Sequence, residues 1–258
     1  MASATARIVD TIDARPAFTQ ADADALNARF EGVEAGEMLA TLFAEEELGE
    51  VALVSSFGTE AAVLLHLVAQ ADPRVPVVFV DTLKMFDETL AYREQLIDQF
   101  GIENASVVTP DLDVLAAKDE NGLRWSYDPD GCCEIRKVEP LKRAKAGLDA
   151  WISGRKAFQS VTRQNLPRFE IEDGRLKINP LGDWTKDDLE AYFEAHALPR
   201  HPLEQQGYLS VGCAPCTSKV KPGEDPRAGR WRGWDKTECG IHTPVSGEDN
   251  DEANQPVF

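Results

Sequence analysis

The stretch Val51-Ala-Leu-Val-Ser-Ser-Phe-Gly-Thr-Glu60, followed by Ala-Ala-Val-Leu-Leu-His-Leu-Val-Ala-Gln-Ala71, decides the fold. Residues 51–56 are an apolar run that ends in small polar residues, which is typical of a buried strand. The almost wholly apolar segment from Thr59 to Ala71 predicts a buried helix directly after that strand. The stretch is therefore predicted to form one strand–turn–helix unit.

The same alternation recurs farther along the chain. Strands are predicted at Val75–Val80, Ser106–Thr109 and Ala150–Ser153, and apolar residues from Phe86 to Phe100 are spaced for a helix. Strands that alternate with helices at this spacing indicate βαβ units. The sequence therefore predicts an α/β protein with a mainly parallel sheet and helices on both faces.

The composition of the chain differs before and after this predicted core. The N-terminal part is acidic and alanine-rich, with helices predicted near Asp22–Phe30 and Gly36–Glu46, and Thr185-Lys-Asp-Asp188 resembles a capping box at the start of a late helix. After His196, Pro, Gly and Trp become frequent, which favours loops. The predicted division is an N-terminal helical extension (1–49), an α/β nucleotide-binding core (50–196), a cysteine-bearing C-terminal segment (197–242) and a mobile acidic tail (243–258).

The charge is strongly negative but uneven. The 258 residues include 45 acidic and 27 basic side chains, for a formal net charge of −18. This balance argues against a general nucleic-acid binder. With no apolar run of about 20 residues and no signal-peptide pattern, the sequence predicts neither a membrane span nor export. Two basic islands, Arg136–Lys177 and Thr217–Lys236, favour a focused site for a small anion, although surface ion pairing is the alternative.

The turn after the first strand is a candidate phosphate site. Ser55-Ser-Phe-Gly-Thr-Glu60 has small residues and a glycine where backbone amides could approach an anion at a helix start. The turn matches neither the Walker nor the Rossmann fingerprint. Asp81-Thr82 ends the next predicted strand, so it should open on the same edge of the sheet.

Four of the five cysteines form two close pairs. Cys132 and Cys133 are adjacent and are predicted to lie just before an amphipathic helix, and Cys213 and Cys216 are separated by two residues. Two pairs of thiolates suit tetrahedral zinc or a [4Fe–4S] cluster. Adjacent cysteines favour the cluster, whose irons are separate corners, but zinc and redox-active thiols remain alternatives at this point. An odd cysteine count without a signal peptide predicts reduced thiols in the cytoplasm.

Cys239 stands apart from the pairs. It lies in Thr237-Glu-Cys-Gly-Ile-His242, close in sequence to Arg227 and Arg230. Nearby cations and a histidine suit a thiol with a depressed pKa, which is the kind that acts as a nucleophile. The alternative is an ordinary thiol in a C-terminal tail.

Four motifs combine these features: Cys132-Cys-Glu-Ile-Arg-Lys137-Val-Glu-Pro-Leu141, Trp151-Ile-Ser-Gly154 with Gln159-Ser-Val-Thr-Arg163, Gly212-Cys-Ala-Pro-Cys216, and Glu238-Cys-Gly-Ile-His242. Together they resemble the assimilatory sulfonucleotide reductases, and in particular the iron–sulfur branch that uses adenylyl sulfate (APS). The resemblance extends from about Val51 to His242, with the motifs in the family's order. One departure is Asp81-Thr82-Leu83, where the family often has Asp-Thr-Gly.

This resemblance implies an adenine-nucleotide α-hydrolase-like fold and reduction of APS to sulfite and AMP, with thioredoxin or glutaredoxin as electron donor. It implies a [4Fe–4S] cluster on Cys132, Cys133, Cys213 and Cys216. Cys239 matches the family's nucleophile, with His242 and Lys137 as further catalytic candidates. The implied substrate-binding positions are Ser55, Ser56, Phe57, Gly58, Thr59, Asp81, Thr82, Gly154, Arg163, Arg227 and Arg230.

Other functions stay open from the sequence. Reduction of 3′-phosphoadenylyl sulfate (PAPS), alone or together with APS, shares most of these motifs. An ATP-pyrophosphatase-type enzyme would require a fuller S-G-G-x-[DS]-like loop than Ser55–Glu60 provides. A non-catalytic iron–sulfur sensor or zinc-stapled module would need no nucleophile at Cys239. A homo-oligomer is possible, and no nucleic-acid or membrane partner is expected.

Overall fold

A computed structural model describes residues 17–159, 166–236 and 238–240. The predicted acidic tail, Arg163 and His242 lie outside the described residues. Within the described part, no helix is long and apolar enough to cross a membrane.

One six-stranded sheet forms the centre of the molecule, in the order β3-β2-β1-β4-β6-β5. All neighbouring strands are parallel except β5 and β6, which form an antiparallel hairpin. The predicted fold class is therefore confirmed. The strands are β1 Val51–Ser55, β2 Val77–Val80, β3 Ala105–Val108, β4 Ala150–Ser153, β5 Phe169–Glu172 and β6 Arg175–Ile178.

The helices are close to their predicted positions. The segment predicted at Thr59–Ala71 begins two residues later, and Thr185 caps the late helix with the expected capping box. The helices are α1 Gln20–Arg29, α2 Ala35–Ala44, α3 Ala61–Ala71, α4 Asp87–Phe100, α5 Leu112–Lys118, α6 Pro129–Cys133, α7 Glu139–Lys145 and α8 Lys186–Ala195.

The order of the strands places a cleft beside β1. The chain runs outward from β1 to β2 and β3 and then returns to β4 on the other side of β1. Right-handed crossovers therefore put α3 and α4 on one face of the sheet and α7 on the other, and α7 indeed contacts β2 and β3. The turns that leave β1 and β4 diverge at this switch point, which is where open α/β sheets bind ligands.

Helix α3 covers one face of the sheet. Nearly every residue from Ala62 to Ala69 is buried, because this helix lies between the sheet and α2. Phe57, in the turn before α3, packs edge-on against Phe79 of β2 with ring centroids 5.5 Å apart. The turn that begins α3 is therefore anchored in the core, and its backbone position is fixed.

Cys132 and Cys133 precede a helix, as predicted, but they are themselves helical. They are the last residues of α6, which continues through a π-helical turn, Glu134–Val138, directly into α7. Pro140 supplies the physical reason for the wide turn, because it has no N–H to donate to the carbonyl four residues earlier and its ring crowds that carbonyl. The irregular turn carries Lys137.

The segment after α8 has little regular structure. Its described part contains only short 3₁₀ turns, at Glu204–Gln206 and Ala214–Cys216, and an isolated antiparallel bridge between Thr217 and Arg230. The Gly229 carbonyl accepts a 2.8 Å bond from the Ser218 N–H. A side chain at Gly229 would lie 2.1 Å from the Ser218 carbonyl oxygen, so only glycine permits this approach. The bridge thereby fixes the position of Arg230.

Candidate active site

A cavity of about 450 Å³ opens at the carboxyl ends of β1 and β4. Its walls come from the turn after β1, the residues after β4, the π-helical turn and the C-terminal segment. These elements are far apart in sequence and meet only because β1 and β4 are neighbours. The cavity brings together ten of the residues predicted to be functional: Ser55, Ser56, Gly58, Thr59, Thr82, Lys137, Gly154, Arg227, Arg230 and Cys239.

Two predicted substrate residues lie elsewhere. The Phe57 side chain is in the core, although its backbone belongs to the turn. The Asp81 carboxylate accepts a 2.8 Å bond from the Leu83 N–H and does not line the cavity. Leu83 has a φ of +58°, a left-handed conformation that suits glycine. This backbone geometry accounts for the glycine that the family often has at that position.

The turn after β1 is arranged to receive an anion. The Ser55 hydroxyl accepts a 3.2 Å bond from the Phe57 N–H, and the Thr59 hydroxyl donates to the Leu209 carbonyl at 3.1 Å. No side chain caps the start of α3. The Ala61 N–H donates to the Gly58 carbonyl at 3.0 Å, but the N–H groups that follow it at the helix start have no side-chain cap among the described residues and are available to a ligand. The helix dipole favours a negative ligand there.

Two cations in the cavity have no carboxylate partner in the part of the chain that the structure describes. Among the described residues, neither Lys137 nor Arg230 forms an ion pair, and the Nε of Arg230 is buried without a hydrogen-bond partner. The Arg230 guanidinium stacks 4.4 Å from the centre of the Trp231 ring. It also lies against Gly212, where an added Cβ would be 2.3 Å from a guanidinium nitrogen. The cavity therefore contains positive charge that the described part of the chain does not neutralise.

Burial and the nearby cysteines have opposite effects on the pKa values of these two cations. Burial alone would lower the pKa of Lys137, but the thiols of Cys213 and Cys239 raise it above its ordinary value. Burial lowers the pKa of Arg230, and the Cys239 and Cys213 thiols partly offset that effect. Both groups are still cations near neutral pH, since the ordinary guanidinium pKa is far above it. Both cations also lie close to Cys239.

Two ion pairs hold the segment directly before Cys239. Lys236 forms an ion pair with Asp130 of α6, and Glu238 forms one with Arg227, with 3.3 Å between the charged atoms. Cys239 itself is half-buried and faces the cavity. These ties place the thiol beside Lys137 and Arg230.

The four paired cysteines line a second, smaller cavity. Its other walls include Trp125, Trp231 and three cations, Lys84, Arg136 and Lys137, with no acidic residue. The Thr82 hydroxyl lies 3.2 Å from the Cys213 sulfur. Lys137 and Trp231 line both cavities, so the two sites share a wall. Arg136 is already paired with the buried Asp119 at 2.6 Å. The donor set fits a group held by four thiolates whose excess negative charge Lys84 and Lys137 would offset.

The cysteines differ in acidity. Burial raises the pKa of both Cys132 and Cys133 to about 11, so as free thiols they would be neutral. Burial would also raise the pKa of Cys213, but Lys137 and the Thr82 hydroxyl hold it below its ordinary value. Metal coordination deprotonates thiols outright, which would overcome the burial at Cys132 and Cys133.

One group of cavity residues was missed by the sequence analysis. Lys156 and Gln159, in the segment after β4, both bind the Glu60 carboxylate of the turn after β1. The signal was present, because residues that follow a parallel strand open on the same edge as those that follow its neighbour. Applying that rule to β4 as well as to β1 and β2 would have identified them.

Sequence comparison finds a matching family. Residues 50–219 match the family model of the phosphoadenosine phosphosulfate reductase domain. An adenosine 5′-phosphosulfate reductase of Mesorhizobium japonicum is 52% identical over 193 residues, covering 75% of this chain and 76% of that protein. One of a Chelativorans species is 47% identical over 233 residues, covering 89% and 94%.

Solved structures give the same result for the fold. The phosphate complex of phosphoadenylyl-sulfate reductase from Candida auris has a TM-score of 0.65 and 27% identity, covering 79% of this chain and 98% of that one. An FMN adenylyltransferase from Candida glabrata, with a TM-score of 0.51, 14% identity and coverage of 78% and 77%, shares the fold alone. With the family model matching well over half of its residues, the chain belongs to the phosphoadenosine phosphosulfate reductase family.

Proposed function

We propose that this protein reduces adenylyl sulfate to sulfite and AMP in assimilatory sulfate reduction, with Cys239 as the nucleophile. One observation carries the proposal: a single cavity holds an uncapped helix start, a cysteine thiol and two cations that have no carboxylate partner among the described residues. A phosphosulfate needs all three, because it presents a phosphate, a ring of sulfuryl oxygens and an electrophilic sulfur. The relatives named adenosine 5′-phosphosulfate reductase, at 47–52% identity, support APS as the sulfonucleotide.

Each wall of the cavity has a task in this scheme. The backbone N–H groups of the Ser55–Thr59 turn and the start of α3 bind the phosphate. The cleft between the turns after β1 and β4 receives the nucleoside. Lys137 and Arg230 neutralise the sulfuryl oxygens, which would otherwise repel an incoming thiolate. Preorganised charges of this kind contribute several kcal/mol to transition-state stabilisation.

The first step transfers the sulfuryl group to the protein. The Cys239 thiolate attacks the sulfur, a bond forms between the two sulfur atoms, and the bond from sulfur to the phosphate oxygen breaks. The electron pair of that bond leaves with AMP, whose phosphate the turn already stabilises. The product on the protein is Cys239–S–SO₃⁻. His242, three residues farther along the chain, is proposed to orient Cys239 or to take its proton.

The second step is thiol–disulfide exchange. A thiolate of thioredoxin or glutaredoxin attacks the Cys239 sulfur, and sulfite leaves with the electron pair of the sulfur–sulfur bond. The second thiol of the donor then resolves the mixed disulfide and returns Cys239 as a thiol. Two thiols are oxidised to a disulfide while sulfur is reduced by two electrons, so the electrons balance. We place the reaction in the cytoplasm, where such dithiols are kept reduced.

We further propose that Cys132, Cys133, Cys213 and Cys216 hold a [4Fe–4S] cluster. Zinc needs four donors around one point, and the adjacent Cys132 and Cys133 are poorly spaced for such a site. A cluster spreads its ligands over separate irons. When bound, it supplies a fixed charge and a covalent link between the core and the C-terminal segment. Lys137, shared by the two cavities, positions the substrate beside it.

Replacing Cys239 tests the proposed reaction. Wild-type protein with thioredoxin and APS should release sulfite, and Cys239→Ser should release none above background, since a serine hydroxyl is a far weaker nucleophile near neutral pH. The measurement is sulfite formation, with APS binding by calorimetry as its control. The variant should bind APS like the wild type. Turnover at the wild-type rate would contradict the proposal.

Metal analysis tests the proposed cluster. Anaerobically purified protein should contain iron and acid-labile sulfide in equal amounts, with about four of each per chain. Cys213→Ser should lose most of both and fold in lower yield, because metal binding contributes to ordering the C-terminal segment. Cys239→Ser is the matched control and should keep both. Zinc without labile sulfide in the wild type would overturn this part of the proposal.

Crowding at Gly212 tests the role assigned to Arg230. In Gly212→Ala the new methyl group would displace the guanidinium, because its Cβ would lie 2.3 Å from a guanidinium nitrogen. Loss of one positioned charge typically costs about 10²-fold or more in rate, so kcat should fall by at least roughly tenfold. Gly147→Ala is the control, since no atom lies within 4 Å of its added Cβ. Equal kinetics of both variants would show that Arg230 is not needed in this position.

A further inference from the structure

A polar cluster on one wall of the cavity has no part in the sulfur chemistry. The Glu60 Oε2 accepts a 2.9 Å bond from the Lys156 ammonium and a 2.6 Å bond from the Gln159 amide. Lys156 also donates to the Gly154 carbonyl at 3.0 Å, and its side chain is only 3% exposed. The cluster therefore ties the start of α3 to the end of β4, across the switch point of the sheet.

With the phosphate on the turn after β1, as proposed above, this wall faces the nucleoside. Glu60 directly follows the turn assigned to the phosphate, and Gly154 to Gln159 follow β4. The residues assigned to the sulfuryl group, Lys137 and Cys239, come instead from the π-helical turn and the C-terminal segment. A nucleotide whose phosphate sits on the turn and whose sulfate faces Cys239 thus directs its ribose toward Glu60 and its partners.

Two cations of this wall are paired with carboxylates, and a third lies near two more. Lys156 is paired with Glu60, and Arg155 is paired with Glu170 at 2.9 Å. Lys186, at the exposed rim, lies in the field of two further carboxylates, Glu190 and Glu204. A second phosphate on the nucleoside would bring about two negative charges to a wall on which the described cations are compensated.

One oxygen of the Glu60 carboxylate can still accept a hydrogen bond from a ligand. Both of its hydrogen bonds within the described part of the chain go to Oε2, so Oε1 receives no donor there. Glu60 lines the cavity, and about a third of its side chain is exposed. A carboxylate oxygen accepts a hydrogen bond from a hydroxyl but repels a phosphate. Dinucleotide-binding proteins use the same chemistry when an acidic residue selects a free ribose hydroxyl over its phosphorylated form.

We propose that Glu60 is a specificity-determining residue, whose Oε1 accepts a hydrogen bond from the ribose 3′-hydroxyl and whose charge excludes a ribose 3′-phosphate. The inference rests on the proposed function, since it assigns the APS-over-PAPS preference of that same site. It combines an attractive contact to one substrate with repulsion of the other, which is how specific sites discriminate. Lys156 and Gln159 are positioning residues that hold the carboxylate.

Two substitutions test this role of Glu60, and they should shift the preference for APS over PAPS in opposite directions. Glu60→Gln removes the charge and releases the Lys156 ammonium, so the ratio of kcat/KM for APS to that for PAPS should fall about tenfold or more. Lys156→Met leaves the Glu60 charge uncompensated, so the same ratio should rise. Glu45→Gln is the matched control, because Glu45 is paired with Arg29 and does not line the cavity. Its ratio should equal the wild-type value.

A ligand series on the wild-type protein gives a second measurement that needs no variant. Inhibition constants for AMP, 3′-deoxy-AMP and adenosine 3′,5′-bisphosphate should show AMP as the tightest binder. Loss of the hydroxyl and addition of the phosphate should each weaken binding about tenfold. Bisphosphate binding as tight as that of AMP would overturn the assignment of Glu60.

Different results would overturn the proposed function and the proposed role of Glu60. Sulfite release from APS with an unchanged substrate ratio in Glu60→Gln would overturn the role of Glu60 and leave the proposed function intact. Absence of sulfite from both substrates would overturn the proposed function. In that case the inhibitor series still decides whether the ribose pocket selects a free 3′-hydroxyl.

Discussion

Two cations without carboxylate partners in the described chain, Lys137 and Arg230, set the constraint on which the site depends. In a chain with a formal net charge of −18, acidic side chains that could neutralise them are abundant. The neighbouring cations Lys156 and Arg227 are indeed paired. Positive charge held apart in a cavity is costly to bury, and a dianionic ligand offsets that cost. The site is therefore electrostatically complementary to a phosphosulfate before the substrate arrives.

The fold provides this arrangement through two irregularities. The reversal of strand order at β1 opens the cleft, and the π-helical turn before Pro140 brings Lys137 to the wall between the two cavities. A regular helix through this segment would rotate each following side chain to a different direction. Because Cys132 and Cys133 directly precede that turn, whatever the paired cysteines bind also fixes Lys137. The position of Lys137, and with it the positive charge in the substrate cavity, is thus coupled to the cysteine site.

Local patterns allowed much of this to be predicted from the sequence. The apolar runs defined β1 to β4 within about two residues, and the small residues from Ser55 to Thr59 marked the turn before α3. The hairpin of β5 and β6 was missed, although Asp173-Gly174, both with positive φ, is a typical hairpin turn. The pairing of Glu60 with Lys156 could not be foreseen from local pattern, because the partners are 96 residues apart and meet only through the adjacency of β1 and β4.

The central claim, that Cys239 accepts the sulfuryl group, is tested most directly by mass spectrometry after incubation with APS in the absence of any dithiol. The account predicts a protein heavier by one sulfonate group, mapped to the peptide that contains Glu238-Cys-Gly-Ile-His242, with one equivalent of AMP released and the label discharged as sulfite on addition of thioredoxin. A sulfonate on Cys213 or Cys216, or AMP release without any adduct, would contradict it.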